Sequence, residues 1–171
     1  LDTPAALPDR WMGLRPYEAI IWSSDQVSLS LAQENAMLEW LRRGGHLVVI
    51  LPQAGNPWEL GRGEDGPLGS ILPIERPTTA SVPIGDLLAG MMKNPRTSDI
   101  EENLPVQVLR SGTRDVIPAA DGWVSTWALP GVGTIAAKRS VGHGQLTLLG
   151  VDAGAPRLRS VALARTAAGS P

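Results

Sequence analysis

Six polar side chains, Ser23, Ser24, Asp25, Asn56, His143 and Asp152, are of the types that hydrolytic chemistry uses. Acyl transfer needs a serine within hydrogen-bond reach of His143, a carboxylate to orient the imidazole, and an oxyanion donor. Ser23, Ser24 and Asp25 directly follow an apolar run, and Asp152 follows another. Gln53 and Asn56 follow a third. In open parallel sheets the carboxyl ends of strands face the ligand crevice, so these positions are site candidates. Each also has a local reading: the serines and Asp25 end a strand in a turn, and Asp152 caps a helix or closes an Asx turn. A binding site at the same edge would take an apolar wall from Trp58, Trp123 or Trp127. The ligand-binding candidates are therefore Ser23, Ser24, Asp25, Gln53, Asn56, Trp58, Trp123, Trp127, His143 and Asp152. No residue is assigned a catalytic role. His46 and His143 are far apart and the carboxylates are scattered, so no metal or other cofactor is expected.

The elements that must position these groups centre on residues 19–52. Two short apolar runs, 19–23 and 46–51, flank one amphipathic stretch over 31–43, the pattern of a βαβ unit in a parallel sheet. The first run is almost wholly apolar, as a strand covered on both faces would be. Ser30 and Gln33 have capping-box spacing, and Gly44 is placed to end the helix. Leu31, Met37, Leu38 and Leu41 form the apolar stripe with Trp40 at its border, whereas Glu34, Asn35, Glu39 and Arg42 are expected to face water. His46 opens the second strand and reads as structural.

Later elements are less regular. Residues 84–93 read as a short helix in which Met91 and Met92 fill the core, and 106–109 as a strand. In an extended 122–129, Trp123, Ser125 and Trp127 would face one side, as a half-covered ladder or an aromatic platform. Residues 134–138 and 145–149 flank Val141-Gly142-His143-Gly144, which reads as a hairpin. Gly61-Arg62-Gly63 lacks the flanking strand, the helix and the glycine spacing of a phosphate loop. Pro4, Pro8 and Pro16 make residues 1–16 an extended or turning lead-in. Trp11 either docks on the body or marks a ligand surface. Residues 169–171 read as a frayed end or linker.

The chain of 171 residues fits one domain, 1–171, and is long enough to bury a core without disulfides. A formal net charge of -2 with no dense basic block gives too weak a field to expect nucleic acid as a partner. The absence of cysteine excludes thiol nucleophiles, thiolate metal sites and disulfides. No run approaches the roughly 18 apolar residues of a membrane helix. A start at Leu1 suggests a fragment or processed protein, so membrane contact is expected only through segments outside this chain.

Three stretches carry a family resemblance: Leu7-Pro8-Asp9-Arg10-Trp11-Met12-Gly13, Tyr17-Glu18-Ala19-Ile20-Ile21-Trp22-Ser23, and Leu38-Glu39-Trp40-Leu41-Arg42-Arg43-Gly44-Gly45-His46-Leu47-Val48-Val49. Together they resemble the class I glutamine amidotransferase-like superfamily, and within it the divergent domains of bacterial membrane-anchored or envelope proteins. The late run Val141-Gly142-His143-Gly144-Gln145-Leu146-Thr147-Leu148-Leu149-Gly150-Val151-Asp152 is similar to the late strand of those domains. The resemblance implies an α/β fold: a three-layer, flavodoxin-like domain with a mostly parallel sheet and a late β-hairpin. Active members use a cysteine on a strand-to-helix turn. This chain has none, and Ser70 in Pro67-Leu68-Gly69-Ser70-Ile71 lacks the nucleophile-elbow pattern.

The leading expectation is a non-catalytic structural, interaction or sensory domain on the extracytoplasmic side of a membrane-tethered bacterial protein. Its partner would be another envelope protein or another part of the same polypeptide. One alternative is a domain binding a small neutral ligand, such as a carbohydrate. Another is a serine-dependent hydrolase.

Overall fold

The computed structural model describes residues 4–25, 28–54, 65–72, 77–92, 102–109, 122–152, 154–156 and 158. The βαβ unit is present: β1 (Ala19–Trp22), α1 (Leu31–Arg42) and β2 (His46–Ile50), with β1 and β2 paired in parallel. A four-residue helix, α2 (Leu51–Ala54), follows β2 directly where a loop was expected. Next come β3 (Thr78–Pro83), α3 (Ile84–Met92) and β4 (Asn103–Val108), and then β5 (Trp123–Leu129), β6 (Gly133–Val141) and β7 (Gly144–Leu149).

The main sheet runs β1-β2-β7-β6-β5, with β7 parallel to β2 and with β6 antiparallel to both β7 and β5. Every strand except β6 therefore points the same way, giving a mixed α/β domain with a largely parallel sheet. The late hairpin is β6–β7, closed by the two residues Gly142 and His143. β3 and β4 form a separate antiparallel ribbon, joined to the main sheet where the Leu109 N–H donates to Thr134 O at 2.8 Å and the Gln107 N–H to Gly150 O at 2.7 Å. β3 was not anticipated from the sequence. Its run Thr-Thr-Ala-Ser-Val-Pro is polar and proline-ended, and within it only Val82 is buried.

α1 begins with the capping box its sequence indicates. The Gln33 N–H donates to Ser30 Oγ at 3.2 Å, and the Ser30 N–H donates to Gln33 Oε1 at 3.0 Å. Gly44 follows with a φ of +119°. The buried face carries Met37, Leu38, Trp40 and Leu41, against Leu47 and Val49 of β2 and Leu146 and Leu148 of β7. Two expectations fail on this helix. Leu31 is 47% exposed, and Glu34, expected in water, is fully buried. The reason is helical geometry, since Glu34 lies three, four and seven residues before Met37, Leu38 and Leu41 and so falls on the same stripe. Neither of its carboxylate oxygens has a hydrogen-bond partner.

β1 is not covered on both faces. Among the described residues it is an edge strand whose one partner is β2, and Ile21 is 64% exposed. The lead-in takes the turning form rather than the extended one, with 3₁₀ turns at Pro4–Ala6 and Trp11–Leu14, the second packed on α1. The Gln33 side chain fastens it by donating to Leu7 O at 2.9 Å.

A second core lies beyond β6. Val82, Ile84, Leu87, Leu88, Val106 and Ile135 are buried there, joining α3 and the β3–β4 ribbon to the sheet. A register shift in β5 between Ser125 and Trp127 divides its two tryptophans between the two cores. A shared face requires unbroken two-residue alternation, and a bulge interrupts it. The shared face on which either a half-covered ladder or an aromatic platform would depend is therefore interrupted between Trp123 and Trp127.

Candidate functional site

The parallel strands bring some of the candidates to one edge. At the carboxyl end of β1, Ser23 and Asp25 are exposed and Ser24 is half-buried. The indole of Trp22, itself buried, donates to Ser24 O at 3.0 Å and holds this turn against the strand end. Gln53, on α2 at the end of β2, donates through Nε2 to Asp152 Oδ2 at 2.7 Å. Asp152 follows β7, and its Oδ1 accepts the Gly154 N–H at 2.8 Å while its carbonyl accepts the Ala155 N–H at 3.0 Å. Asp152 thus closes an Asx turn, the local role the sequence allowed, and its other oxygen is taken by Gln53.

His143 lies at the opposite end of the sheet. It occupies the β6–β7 turn, before the first residue of β7, whereas Asp152 follows the last. Six strand residues at about 3.3 Å each separate the two positions by roughly 20 Å. The His143 side chain is exposed, and its backbone N–H donates to Arg42 O at 2.9 Å at the end of α1. His46 is at the same amino edge and contacts Thr147 Oγ1 through Nε2 at 2.8 Å. Ser23, Ser24, Asp25 and Asp152 therefore share an edge with no histidine among the described residues. Ser70, considered as an alternative nucleophile, donates its hydroxyl to Pro67 O at 2.7 Å.

The aromatic candidates divide similarly. Trp123 is 1% exposed and belongs to the core beneath α1. Trp127 is half-buried against α3, where a Cβ on Gly90 would stand 2.6 Å from its indole nitrogen. That nitrogen is buried and makes no hydrogen bond. Asn56 and Trp58 lie outside the described residues. Also among the described residues, no group of three or more His, Asp or Glu is placed to hold a metal ion, and no helix is long and apolar enough to cross a membrane.

A recess of 520 Å³ opens at the amino edge, away from most of the candidates. Trp11, Tyr17 and Trp40 give it aromatic walls, and Arg15, Glu18 and Arg43 bring charge to it. The βαβ unit creates it, because the start of a strand and the end of the crossover helix lie at the same edge. Trp40 is 3% exposed and donates through Nε1 to Tyr17 O at 3.1 Å. The Arg43 guanidinium lies 4.1 Å from the Trp11 ring centroid and pairs with Glu39 at 2.8 Å. In the sequence, only the two-way reading of Trp11 pointed here. The usable signal was Tyr17-Glu18 just before β1 together with Trp40 in the last turn of α1 and Arg43 at its C-cap.

No family model and no curated protein matches the chain. Among solved structures it is similar to an exo-β-1,4-mannosidase from Opitutaceae bacterium strain TAV5, at 14% identity and a TM-score of 0.47, over 89% of this chain and 23% of the enzyme. It is also similar to the cytoplasmic protein STM3548 from Salmonella typhimurium, at 13% identity and a TM-score of 0.48, over 87% of this chain and 66% of that one. A further match is the cytoplasmic protein STM1381 from Salmonella typhimurium LT2, at 13% identity and a TM-score of 0.47, over 91% and 70% of the two chains. The chain thus spans under a quarter of the mannosidase. Likeness at this level carries no activity across.

Proposed function

We propose that this chain is a non-catalytic interaction or sensory domain of an exported or membrane-tethered bacterial protein, built on a divergent three-layer, amidotransferase-like α/β fold. The observation that carries this reading is the separation of the candidate groups. The serines and Asp152 stand at the carboxyl edge, and His143 stands at the amino edge. A nucleophile and its base must approach to about 3 Å, and a strand length lies between these groups. The missing cysteine removes the other route, glutamine hydrolysis by a thiolate. Gln53 and Asp152 are engaged with each other and with a turn, which suits a structural role for the edge.

Envelope placement rests on the sequence resemblance. A membrane span or export signal in the full-length protein supports it, and a full-length protein with neither contradicts it. The absence of catalysis is tested with a fluorophosphonate probe and a panel of ester and amide substrates. The expected result is no covalent labelling and no turnover above buffer. Stoichiometric labelling that disappears in Ser23→Ala or Ser24→Ala would overturn the proposal.

A further inference from the structure

We infer that the amino-edge recess is a binding site for a neutral oligosaccharide, with Trp11 and Tyr17 as stacking surfaces and Arg15 and Glu18 as the hydroxyl-binding pair. The inference is independent of whether the carboxyl edge performs chemistry. At 520 Å³ the recess is within the range of small-molecule sites, about 300–1,000 Å³. Two of its aromatic walls, Trp40 and Trp11, make contacts that hold them in place. Trp40 is held by the Tyr17 carbonyl, and a Cβ on Gly45 would come within 2.3 Å of its ring. The Arg43 guanidinium, which also lines the recess, lies over one face of the Trp11 ring and pairs with Glu39, leaving the other face of the ring for a ligand. A pre-formed aromatic surface loses little entropy when a ligand ring settles on it.

The charges select the ligand. Arg43 is compensated by Glu39, whereas the side chains of Arg15 and Glu18 make no hydrogen bond or ion pair among the described residues. Arginine only donates and an ionised glutamate only accepts, so together they suit a group that does both. Sugar hydroxyls do so without adding charge, and the C–H face of the sugar ring provides the apolar surface that the indole and phenol rings require. A free amino acid would also match one cation and one anion. Its two charges would need enclosure to strengthen their pairing, and here Arg15, Glu18 and Gly44 are exposed and Tyr17 is 39% exposed. An open recess instead lets further sugar units continue into solvent.

The test is titration of the intact 171-residue chain with cellohexaose, mannohexaose and N-acetyl-chitohexaose, read by tryptophan fluorescence and calorimetry. Saturable binding of at least one is expected, weakened about ten-fold in Arg15→Ala and by a similar factor in Tyr17→Ala. Both side chains are exposed, so these variants should fold, and unchanged thermal midpoints would verify it. Val124→Ser, on an exposed position outside the recess, should bind as the parent does. Absence of binding by all three sugars at millimolar concentration would overturn the inference. So would binding that is indifferent to Arg15→Ala and Tyr17→Ala, or Arg15-dependent binding of glycine or leucine in place of the sugars.

Discussion

Gly144→Ala is expected to destabilise the domain by about 3 kcal/mol or more, the upper range for forcing extra volume into a packed contact. A Cβ at this position would lie 2.0 Å from Leu41 O and 2.3 Å from Gly45 O. Both are backbone atoms, so no side-chain rotation relieves the overlap. The close approach is fixed by two hydrogen bonds that bracket the glycine. The His143 N–H donates to Arg42 O at 2.9 Å, and the Gln145 N–H donates to Gly45 O at 3.0 Å. Moving the hairpin away from α1 would break both and open the seam between helix and sheet that Leu41 and Leu146 fill. Gly131→Ala is the control. Its φ of +73° also strains alanine, but no atom lies within 4 Å of a Cβ there, so its cost should stay near 1 kcal/mol. Urea unfolding followed by far-ultraviolet circular dichroism measures both variants. Equal losses would mean that α1 and the hairpin do not meet as described.

Glu34→Met should stabilise the domain, by about 1–3 kcal/mol, against the usual trend for a core substitution. Glu34 is fully buried on the stripe of α1, and both carboxylate oxygens lack partners. A buried polar group without a hydrogen bond loses its hydration and gains nothing in return. Methionine keeps the unbranched shape and favours helix equally well, so removal of the polar atoms is the main change. Glu34→Gln should recover less, because its amide also needs partners in the same place. Urea midpoints of the parent, Glu34→Met and Glu34→Gln give the comparison. A loss of stability in Glu34→Met would show that the carboxylate has a partner worth more than its desolvation.

The βαβ unit was legible because several local signals agreed over residues 19–52: a capping box, one apolar stripe, a glycine stop and two apolar runs. The hairpin was legible from Gly142 and Gly144 between two strand-like runs. What was not legible depends on contacts between distant segments. Residue types alone cannot place Glu34 in water or in the core when its helical position is that of Met37 and Leu41. β3 escaped notice because a half-exposed ribbon needs few apolar residues. The separation of Trp123 from Trp127 rests on a bulge, which two-residue alternation does not reveal. The candidate site was half readable. Strand ends correctly placed Ser23, Ser24, Asp25, Gln53 and Asp152 at one edge, while His143 followed from the hairpin only once β7 was known to run parallel to β2.

The central claim, that the serines and His143 occupy opposite edges of the sheet, is open to one direct measurement. The chain has no native cysteine, so Ser23→Cys with His143→Cys places two spin labels cleanly, both at exposed positions. Electron–electron double resonance should give a separation of roughly 20–25 Å, from six strand residues at about 3.3 Å and two strand spacings of about 4.8 Å. A separation under about 10 Å, as side chains of one catalytic site would require, would contradict the account and return hydrolysis to consideration.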